Sequence, residues 1–381
     1  MKKLCAMLTG GFLAFLLAVC FDAYMDQRIE MNKEAVRNHR SYERFGSSEV
    51  QKLIMDDHTL PVFGSSELMP ISDYRQDISS FLNGEDMNIV TIGAGYYQSL
   101  NHTMELGAIS EGIRSGKVAL FLSPQWFDTK GLPSEAFPPR FSEDQLLEFL
   151  RNRKVSDDNK KYVLDRTLDL LSGSPTQRAR VEKYKKGFES PVSAERIYTK
   201  IMGAFWRERQ KYETYKQLDE MYTEIPREDL ANIDYSEMLN LAEEQGEKAC
   251  TNNEFGIYDE YWTKYVKEVY DKGAVKTSRQ VYTESVEYAD LQCFLSVAKE
   301  LGIEVILVSI PVHEKWYEYQ GLKSDIYYDN IRKIANEYEN VILLDMTEYG
   351  DEKYFFKDVM HLGWKGWTRV NEALYKEFKK K

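Results

Sequence analysis

The sequence predicts an α/β protein built on a doubly wound, mostly parallel sheet of five strands. The main observation is a set of five short runs rich in valine, isoleucine and leucine, at Leu60–Phe63, Asn88–Ile92, Val118–Leu122, Ile303–Ile310 and Val341–Leu344. Such runs are typical of strands that helices bury on both faces of a sheet. A second observation is that unusual polar residues follow three of these runs, which would place them along the carboxyl edge of the sheet.

Residues 1–24 are predicted to be a membrane anchor. Two lysines precede an uncharged stretch, Leu4–Phe21, which Asp22 ends. As a helix this stretch would be about 27 Å long, enough to cross the hydrocarbon core of a bilayer. The lysines should remain in the cytoplasm, so that residues 25–381 form an extracellular domain. A cleaved signal peptide and a lipoprotein with Cys20 as acceptor are alternatives, although the residues around Cys20 do not form a clear cleavage site.

The segment from Met25 to about Met55 is polar and charged and contains good helix formers. It is predicted to be a stalk or first helix that leads away from the membrane.

The first strand leads into Gly64-Ser65-Ser66-Glu67. A serine on the turn between a strand and a helix exposes its hydroxyl at the edge of the sheet, and Ser66 is predicted to have this position. Taken alone, the run could be a plain helix N-terminus, with Ser65 as the cap and Glu67 in the first turn.

The second strand ends in a glycine-bearing turn, Gly93-Ala94-Gly95-Tyr96-Tyr97-Gln98-Ser99, and the third in Ser123-Pro124-Gln125-Trp126-Phe127. The first of these turns could aim backbone N–H groups at an oxyanion, and Gln125 offers an amide donor beside the stiffening ring of Pro124. Both could also be ordinary turns. The predicted oxyanion and substrate-binding residues at this edge are Gly95, Gln125, Ser65, Gln98 and Trp126.

A helical insertion is predicted at about residues 128–298, where charged, tyrosine-rich stretches with helical spacing replace the strand pattern. Its tyrosines, Tyr258 and Tyr261 among them, are expected to pack between helices with the hydroxyl outward. A surface that contacts sugar or glycerol is the alternative.

Near the end of the chain, Asp358-Val359-Met360-His361-Leu362-Gly363 follows the fifth strand. A serine needs a neutral imidazole to take its proton, and a carboxylate holds that imidazole in the right tautomer. Asp358 and His361 can supply both groups from one loop, so Ser66, His361 and Asp358 are predicted to form a catalytic triad. His313, at the end of the fourth strand, could instead line the pocket.

Composition excludes some classes of partner. The net charge of -12 and the absence of a long basic stripe argue against nucleic-acid binding. Cys5 and Cys20 lie in the apolar segment, which leaves Cys250 and Cys293 as either a disulfide or two free thiols. No cysteine has the spacing of a zinc site.

The four motifs and the anchor together resemble the DltD family of the teichoic-acid D-alanylation pathway, and the resemblance runs from the anchor to the last helix. That family is itself similar to the SGNH, or GDSL-type, hydrolases, whose sheet has flavodoxin-like layering. Aligning Gly64-Ser65-Ser66 with their Gly-Asp-Ser makes Ser66 the nucleophile and puts Ser65 at the aspartate position. Gln125 then stands near the place of their oxyanion-hole asparagine.

The resemblance implies an enzyme on the outer face of a Gram-positive cytoplasmic membrane, which helps to transfer D-alanine onto teichoic acid through Ser66, His361 and Asp358. It also implies a membrane-bound O-acyltransferase of the same pathway as partner. It implies no metal or other cofactor, because the energy for ester formation would enter earlier in the pathway. Two alternatives remain at this point, a non-catalytic module that presents a D-alanyl carrier or teichoic acid to the acyltransferase, and a stand-alone ester or thioester hydrolase.

Overall fold

A computed structural model describes residues 2–39, 46–68, 77–190, 192–221, 229–274 and 278–380. The strands within these ranges are β1 (Thr59–Phe63), β2 (Asn88–Ile92), β3 (Lys117–Leu122), β4 (Arg279–Gln280), β5 (Glu304–Ser309), β6 (Leu322–Lys323) and β7 (Val341–Asp345). Five of them form one sheet in the order β2-β1-β3-β5-β7, in which every neighbouring pair is parallel. The predicted fold class and all five predicted strands are therefore confirmed.

The two remaining strands, β4 and β6, form a separate parallel pair that the sequence analysis missed. Each has only two residues, which is too short for a hydrophobic period to be recognised.

The helices of the described residues are, in chain order, Lys2–Met31, Lys33–Asn38, Ser48–Ile54, Ile78–Phe81, Ser99–Ile109, Glu143–Arg151, Asp157–Leu170, Pro175–Glu189, Ala194–Lys216, Tyr235–Ala249, Asp259–Tyr261, Lys267–Asp271, Glu287–Leu301, Glu314–Tyr319, Asp325–Asn336 and Trp364–Lys379. A π-helical turn, Trp262–Val266, joins two of them.

Helices cover both faces of the sheet. This is seen from β3, whose alternate side chains enter two different cores. Val118, Leu120 and Leu122 of β3 join a core that includes Phe294 of helix Glu287–Leu301. Ala119 and Phe121 of the same strand join a second core, which includes side chains of helix Trp364–Lys379. Side chains of a strand point alternately to the two faces, so these two cores are the two layers of a doubly wound sheet.

The strands of the sheet end at the same edge. Phe63, the last residue of β1, pairs with Ile92 of β2 and Leu120 of β3. Ser309, the last residue of β5, pairs with Leu122 of β3 and Asp345 of β7. The turns that carry the predicted polar residues therefore leave the sheet on one side.

In its described residues, the chain between β3 and β5 is mainly helical, with loops between the helices and the short strand β4. Its last helix, Glu287–Leu301, lies mostly within the predicted insertion, yet Phe294 packs in the main core at 5.7 Å from the ring of Phe63. This helix thus leads back into the sheet as a crossover helix does.

The N-terminal helix, Lys2–Met31, is long and apolar enough to cross a membrane, with a mean hydropathy of 2.4 over its most apolar 18 residues. The segment that follows is no free stalk. Val36 is fully buried in the core, and buried Arg37 binds Asp56 at 3.1 Å and Asn88 at 2.6 Å. Residues 40–45 of the predicted stalk lie outside the described residues.

Candidate active site

Ser66 is the first residue of a short 3-10 turn, Ser66–Leu68, that begins three residues after β1 ends. The turn is held against the turn after β2, because the Gly64 N–H donates to the Ile92 carbonyl at 3.1 Å. Gly93 has φ of +153°, and a Cβ at this position would lie 1.8 Å from the Gly64 carbonyl oxygen. Glycine at position 93 is therefore required for the two turns to approach this closely.

Asp358 and His361 lie on a tight loop between β7 and the last helix. Phe356 and Leu362 form an antiparallel bridge across its base, and the Lys357 N–H donates to the His361 carbonyl at 2.9 Å. This backbone pairing fixes the two catalytic candidates on one rigid turn.

The structure brings the three residues of the predicted triad together. Ser66 Oγ lies 2.9 Å from His361 Nε2, and His361 Nδ1 lies 2.8 Å from Asp358 Oδ2. The other oxygen of Asp358 accepts the backbone N–H groups of Met360 at 2.9 Å and His361 at 2.7 Å. With Nδ1–H donating to the carboxylate, Nε2 is the atom that accepts the Ser66 proton.

The electrostatics of the Asp358–His361 pair favour the ionised carboxylate and the protonated imidazole. Burial raises the pKa of Asp358, but the hydrogen bond and charge of His361 outweigh it and lower that pKa below its usual value of 3.8. Burial lowers the pKa of His361, but the hydrogen bond and charge of Asp358, with a smaller contribution from Glu67, raise that pKa above 6.5. A developing imidazolium is thus stabilised where a general base needs it.

Glu67 is a site residue that the sequence analysis did not identify. Its side chain is only 3% exposed. One carboxylate oxygen accepts the Ser65 N–H at 2.8 Å, and the other accepts the indole N–H of Trp126 at 3.2 Å. The carboxylate therefore joins the turn after β1 to the turn after β3, directly beside Ser66. Its position next to a candidate nucleophile was the one signal that could have revealed it.

The other predicted residues of the β1 and β2 turns are fixed by backbone contacts. The Ser65 hydroxyl does not cap a helix. It donates to the Ala94 carbonyl oxygen, which lies 3.2 Å from Oγ. The Gly95 carbonyl accepts Nε–H of Arg140, whose guanidinium lies over the ring of Tyr96. Gln98 is buried at the start of helix Ser99–Ile109.

The predicted residues of the β3 turn face Glu67. Nε2 of Gln125 lies 3.5 Å from a Glu67 carboxylate oxygen. Trp126 is buried, and its indole N–H donates to the same oxygen. Trp126 is thus hydrogen-bonded to Glu67, and Gln125 contacts the residue next to Ser66.

Tyr258, which belongs to the inserted region, also reaches the site. Its N–H donates to the Lys357 carbonyl at 3.1 Å, and its hydroxyl accepts the Trp364 N–H at 2.8 Å. A Cβ on Gly363 would lie 2.5 Å from this hydroxyl. The expectation that this tyrosine turns its hydroxyl outward is therefore wrong, since the hydroxyl holds the start of the last helix.

Two other histidines, His313 and His102, have structural surroundings. His313 is buried, its Nδ1 accepts the Trp316 N–H at 3.4 Å, and its Nε2 lies 2.8 Å from the Phe255 carbonyl oxygen. His102 is fully buried, and burial lowers its pKa to about 3, so it is neutral. Among the residues that the structure describes, no carboxylate is hydrogen-bonded to either imidazole as Asp358 is to His361.

The two cysteines beyond the anchor are free thiols. Cys250 Sγ lies 3.1 Å from the Gly256 carbonyl oxygen, and Cys293 Sγ lies 3.7 Å from an oxygen of Asn159. The disulfide that the sequence left open is therefore absent from this structure.

Comparison with known proteins agrees with the motif pattern. A family model described as DltD protein matches residues 28–379. Protein DltD of Bacillus subtilis strain 168 is 27% identical over 333 residues, which cover 86% of this chain and 84% of that protein. Protein DltD of Staphylococcus aureus is 27% identical, covering 86% and 83%, and that of Lacticaseibacillus rhamnosus 25%, covering 84% and 77%. The chain belongs to the DltD family.

Proposed function

We propose that this protein is a membrane-anchored serine acyltransferase or esterase that takes part in the D-alanylation of teichoic acid. The observation that carries the proposal is that His361 lies within hydrogen-bond distance of both Ser66 Oγ, at 2.9 Å, and Asp358, at 2.8 Å. Membership of the DltD family supports the pathway, and the apolar helix Lys2–Met31 supports an anchor whose catalytic domain lies on the extracellular face.

In the first step, His361 Nε2 removes the Ser66 proton while Oγ attacks the carbonyl carbon of an activated D-alanyl ester or thioester. The tetrahedral intermediate collapses to a D-alanyl ester of Ser66, and the leaving group departs with the proton from His361. Asp358 stabilises the imidazolium in between. Backbone N–H groups of the β1 and β2 turns, with Gln125, are the proposed oxyanion donors.

In the second step, a hydroxyl of teichoic acid gives its proton to His361 and attacks the acyl-enzyme. Ser66 Oγ leaves and recovers the proton, so that one ester replaces another without net change in charge. The D-alanyl ammonium that the product carries would reduce the negative charge of the polymer. A membrane-bound O-acyltransferase is the proposed partner that supplies or shares the acyl group at the membrane.

The test is intact mass spectrometry of the full chain in detergent after exposure to a D-alanyl thioester, with an acid quench to preserve esters. We expect a D-alanyl adduct that maps to Ser66 and disappears in Ser66→Ala. Ser65→Ala is the matched control, because its side chain is 3% exposed and donates only to the Ala94 carbonyl.

An adduct that persists in folded Ser66→Ala would exclude Ser66 as the nucleophile. Failure of both a D-alanyl thioester and a serine-directed fluorophosphonate to label the wild-type chain would favour a non-catalytic binding role. If the adduct forms but is released only to water when a glycerol-phosphate polymer is added, the protein is a hydrolase and not a transferase.

A further inference from the structure

Helix Ala194–Lys216 presents a stripe of exposed apolar side chains to its surroundings. Ile197 and Ile201 are each 62% exposed, Phe205 is 50% exposed and Tyr212 is 41% exposed. Spacings of four, four and seven residues put these four side chains on one face of the helix. Monomeric soluble proteins rarely expose a contiguous apolar strip of this length, so the face needs an occupant.

The same helix lies beside the apolar N-terminal helix. Phe205 and Tyr212 line a groove together with Phe15, Val19 and Phe21. The ring of Phe21 is 6.3 Å from that of Tyr212, centroid to centroid. Buried Lys211 joins the two helices through ion pairs with Asp22 and, at 2.8 Å, with Asp26.

These contacts fix the level of the stripe relative to a bilayer. Asp22 ends the uncharged stretch of the N-terminal helix, and Phe15 precedes it by seven residues, or about 10 Å of helical rise. The groove that Phe205 lines extends from Phe15 to Met25, so if the stretch Leu4–Phe21 crosses the hydrocarbon core, Phe205 lies between the acyl chains of the outer leaflet and its headgroups.

The charges around the stripe suit an anionic surface. The exposed charged residues of helix Ala194–Lys216 are all basic, namely Lys200, Arg209 and Lys216, whereas its three glutamates are partly buried. Lys216 is paired with Glu213 at 2.6 Å, which leaves Lys200 and Arg209 as the cations nearest the apolar face. This face is basic although the chain as a whole carries a net charge of -12.

We infer that helix Ala194–Lys216 lies in the outer leaflet of the membrane that the N-terminal helix crosses, with Ile197, Ile201 and Phe205 among the acyl chains and Lys200 and Arg209 at anionic headgroups. Apolar burial beside cations is the usual physical basis of such interfacial helices. The inference rests on the proposed membrane anchorage. It goes further, because it fixes the orientation of the whole domain on the membrane and hence the height of Ser66 above it.

Photocrosslinking of the full chain in vesicles of phosphatidylcholine and phosphatidylglycerol tests this orientation. Benzoylphenylalanine replaces Ile201 in one variant, Phe12 of the anchor in a second and Ile326 in a third. Ile326 is the matched control, an exposed isoleucine on a different helix, Asp325–Asn336. We expect phospholipid adducts by mass spectrometry at positions 201 and 12 in comparable yield, and background at position 326.

The outcomes separate the inference from the anchorage on which it depends. Background at position 201 with a strong adduct at position 12 would overturn the interfacial helix and leave the anchor in place. Background at both positions would overturn both. A protein adduct at position 201 in intact cells, without a lipid adduct, would assign the face to a membrane partner and overturn the inference as stated.

A charge variant gives a second readout. Lys200→Gln with Arg209→Gln should lower the lipid adduct at position 201 in vesicles that contain phosphatidylglycerol and leave it unchanged in phosphatidylcholine alone. An equal yield with and without the two charges would exclude their role at headgroups. Circular dichroism of each variant verifies that the chain remains folded.

Discussion

At the scale of the residue, Glu67 is the group that links the candidate nucleophile to its surroundings. Its carboxylate contributes to the raised pKa of His361, although burial of the imidazole works in the opposite direction. A general base must be neutral, so activity should rise as pH increases through this raised pKa. We expect the rate at which a fluorophosphonate labels Ser66 to have an acid limb above pH 6.5, the ordinary value of histidine.

Replacing Glu67 with glutamine should move this limb to lower pH. Glu67→Gln removes the negative charge near His361 and retains an oxygen that can accept the Trp126 indole N–H. The measurement is the pH at which Ser66 labelling is half-maximal in the two proteins, with Gln125→Ala as a control that removes another contact of Glu67 without changing charge. An unchanged limb in folded Glu67→Gln would mean that the carboxylate has only a packing role.

Asp358→Asn should lower the labelling rate by about 10⁴-fold with little change in the fold. The amide N–H₂ of asparagine can donate to Nδ1 of His361, whereas the carboxylate can only accept from it. The imidazole would then carry its proton on Nε2, which could no longer accept the Ser66 proton. The labelling rate at a pH above the limb measures the effect, and thermal unfolding serves as the control. A loss of less than tenfold would contradict the orienting role of Asp358.

The sequence predicted the residues of the proposed triad because their neighbourhoods are distinctive, a Gly-Ser-Ser-Glu run for Ser66 and an Asp-x-x-His turn for His361. Glu67 and Tyr258 lacked such a signal. The role of Glu67 depends on Trp126, which approaches only after β1 and β3 pair, and that of Tyr258 depends on the folding of the insertion onto the last loop. Tertiary contacts of this kind have no local pattern in one sequence.

At the scale of the element, the turns after β1 and β2 depend on the missing side chain of Gly93. A Cβ there would lie 1.8 Å from the Gly64 carbonyl oxygen, so Gly93→Ala must push the two turns apart. We expect a loss of about 2–4 kcal/mol in the free energy of unfolding, measured by denaturant titration.

Gly95→Ala is the matched control for this change. Nothing lies within 4 Å of the position of its Cβ, and its N–H group would be retained. We expect a change of less than about 1 kcal/mol and normal Ser66 labelling. Equal destabilisation by the two substitutions would contradict the close approach of the two turns.

The strands could be predicted because each is a nearly continuous apolar run, but their order could not. Each strand of the sheet has apolar side chains on both faces, so its sequence does not distinguish one face from the other. The order β2-β1-β3-β5-β7 emerges from crossover helices such as Glu287–Leu301, which the sequence pattern did not separate from the insertion.

At the scale of the whole molecule, the contact between the N-terminal helix and the rest of the chain determines how far the candidate site can lie from that helix. The sequence predicted a stalk after the anchor, which would let the domain move away from the membrane. The structure instead packs Met25 and Ile29 against the domain and buries Lys211 between Asp22 and Asp26. Ser66 is therefore held at a fixed distance from the anchor.

Lys211→Met should loosen this contact, because the carboxylates of Asp22 and Asp26 would lose the cation that pairs with both. Both aspartates are 40% exposed, so the expected loss is reduced by solvent to about 1–2 kcal/mol. Amides of residues 22–31 should then exchange with deuterium about 5–30-fold faster, measured by mass spectrometry of the full chain in lipid nanodiscs. Lys267→Met is the control, since its pair with Asp271 is on the surface and distant in sequence from the anchor.

Unchanged exchange at residues 22–31 in Lys211→Met would show that apolar packing alone holds the domain to its anchor. Faster exchange, together with a lower lipid adduct at position 201, would show that buried Lys211 sets how the part of the chain that carries Ser66 is oriented on the membrane.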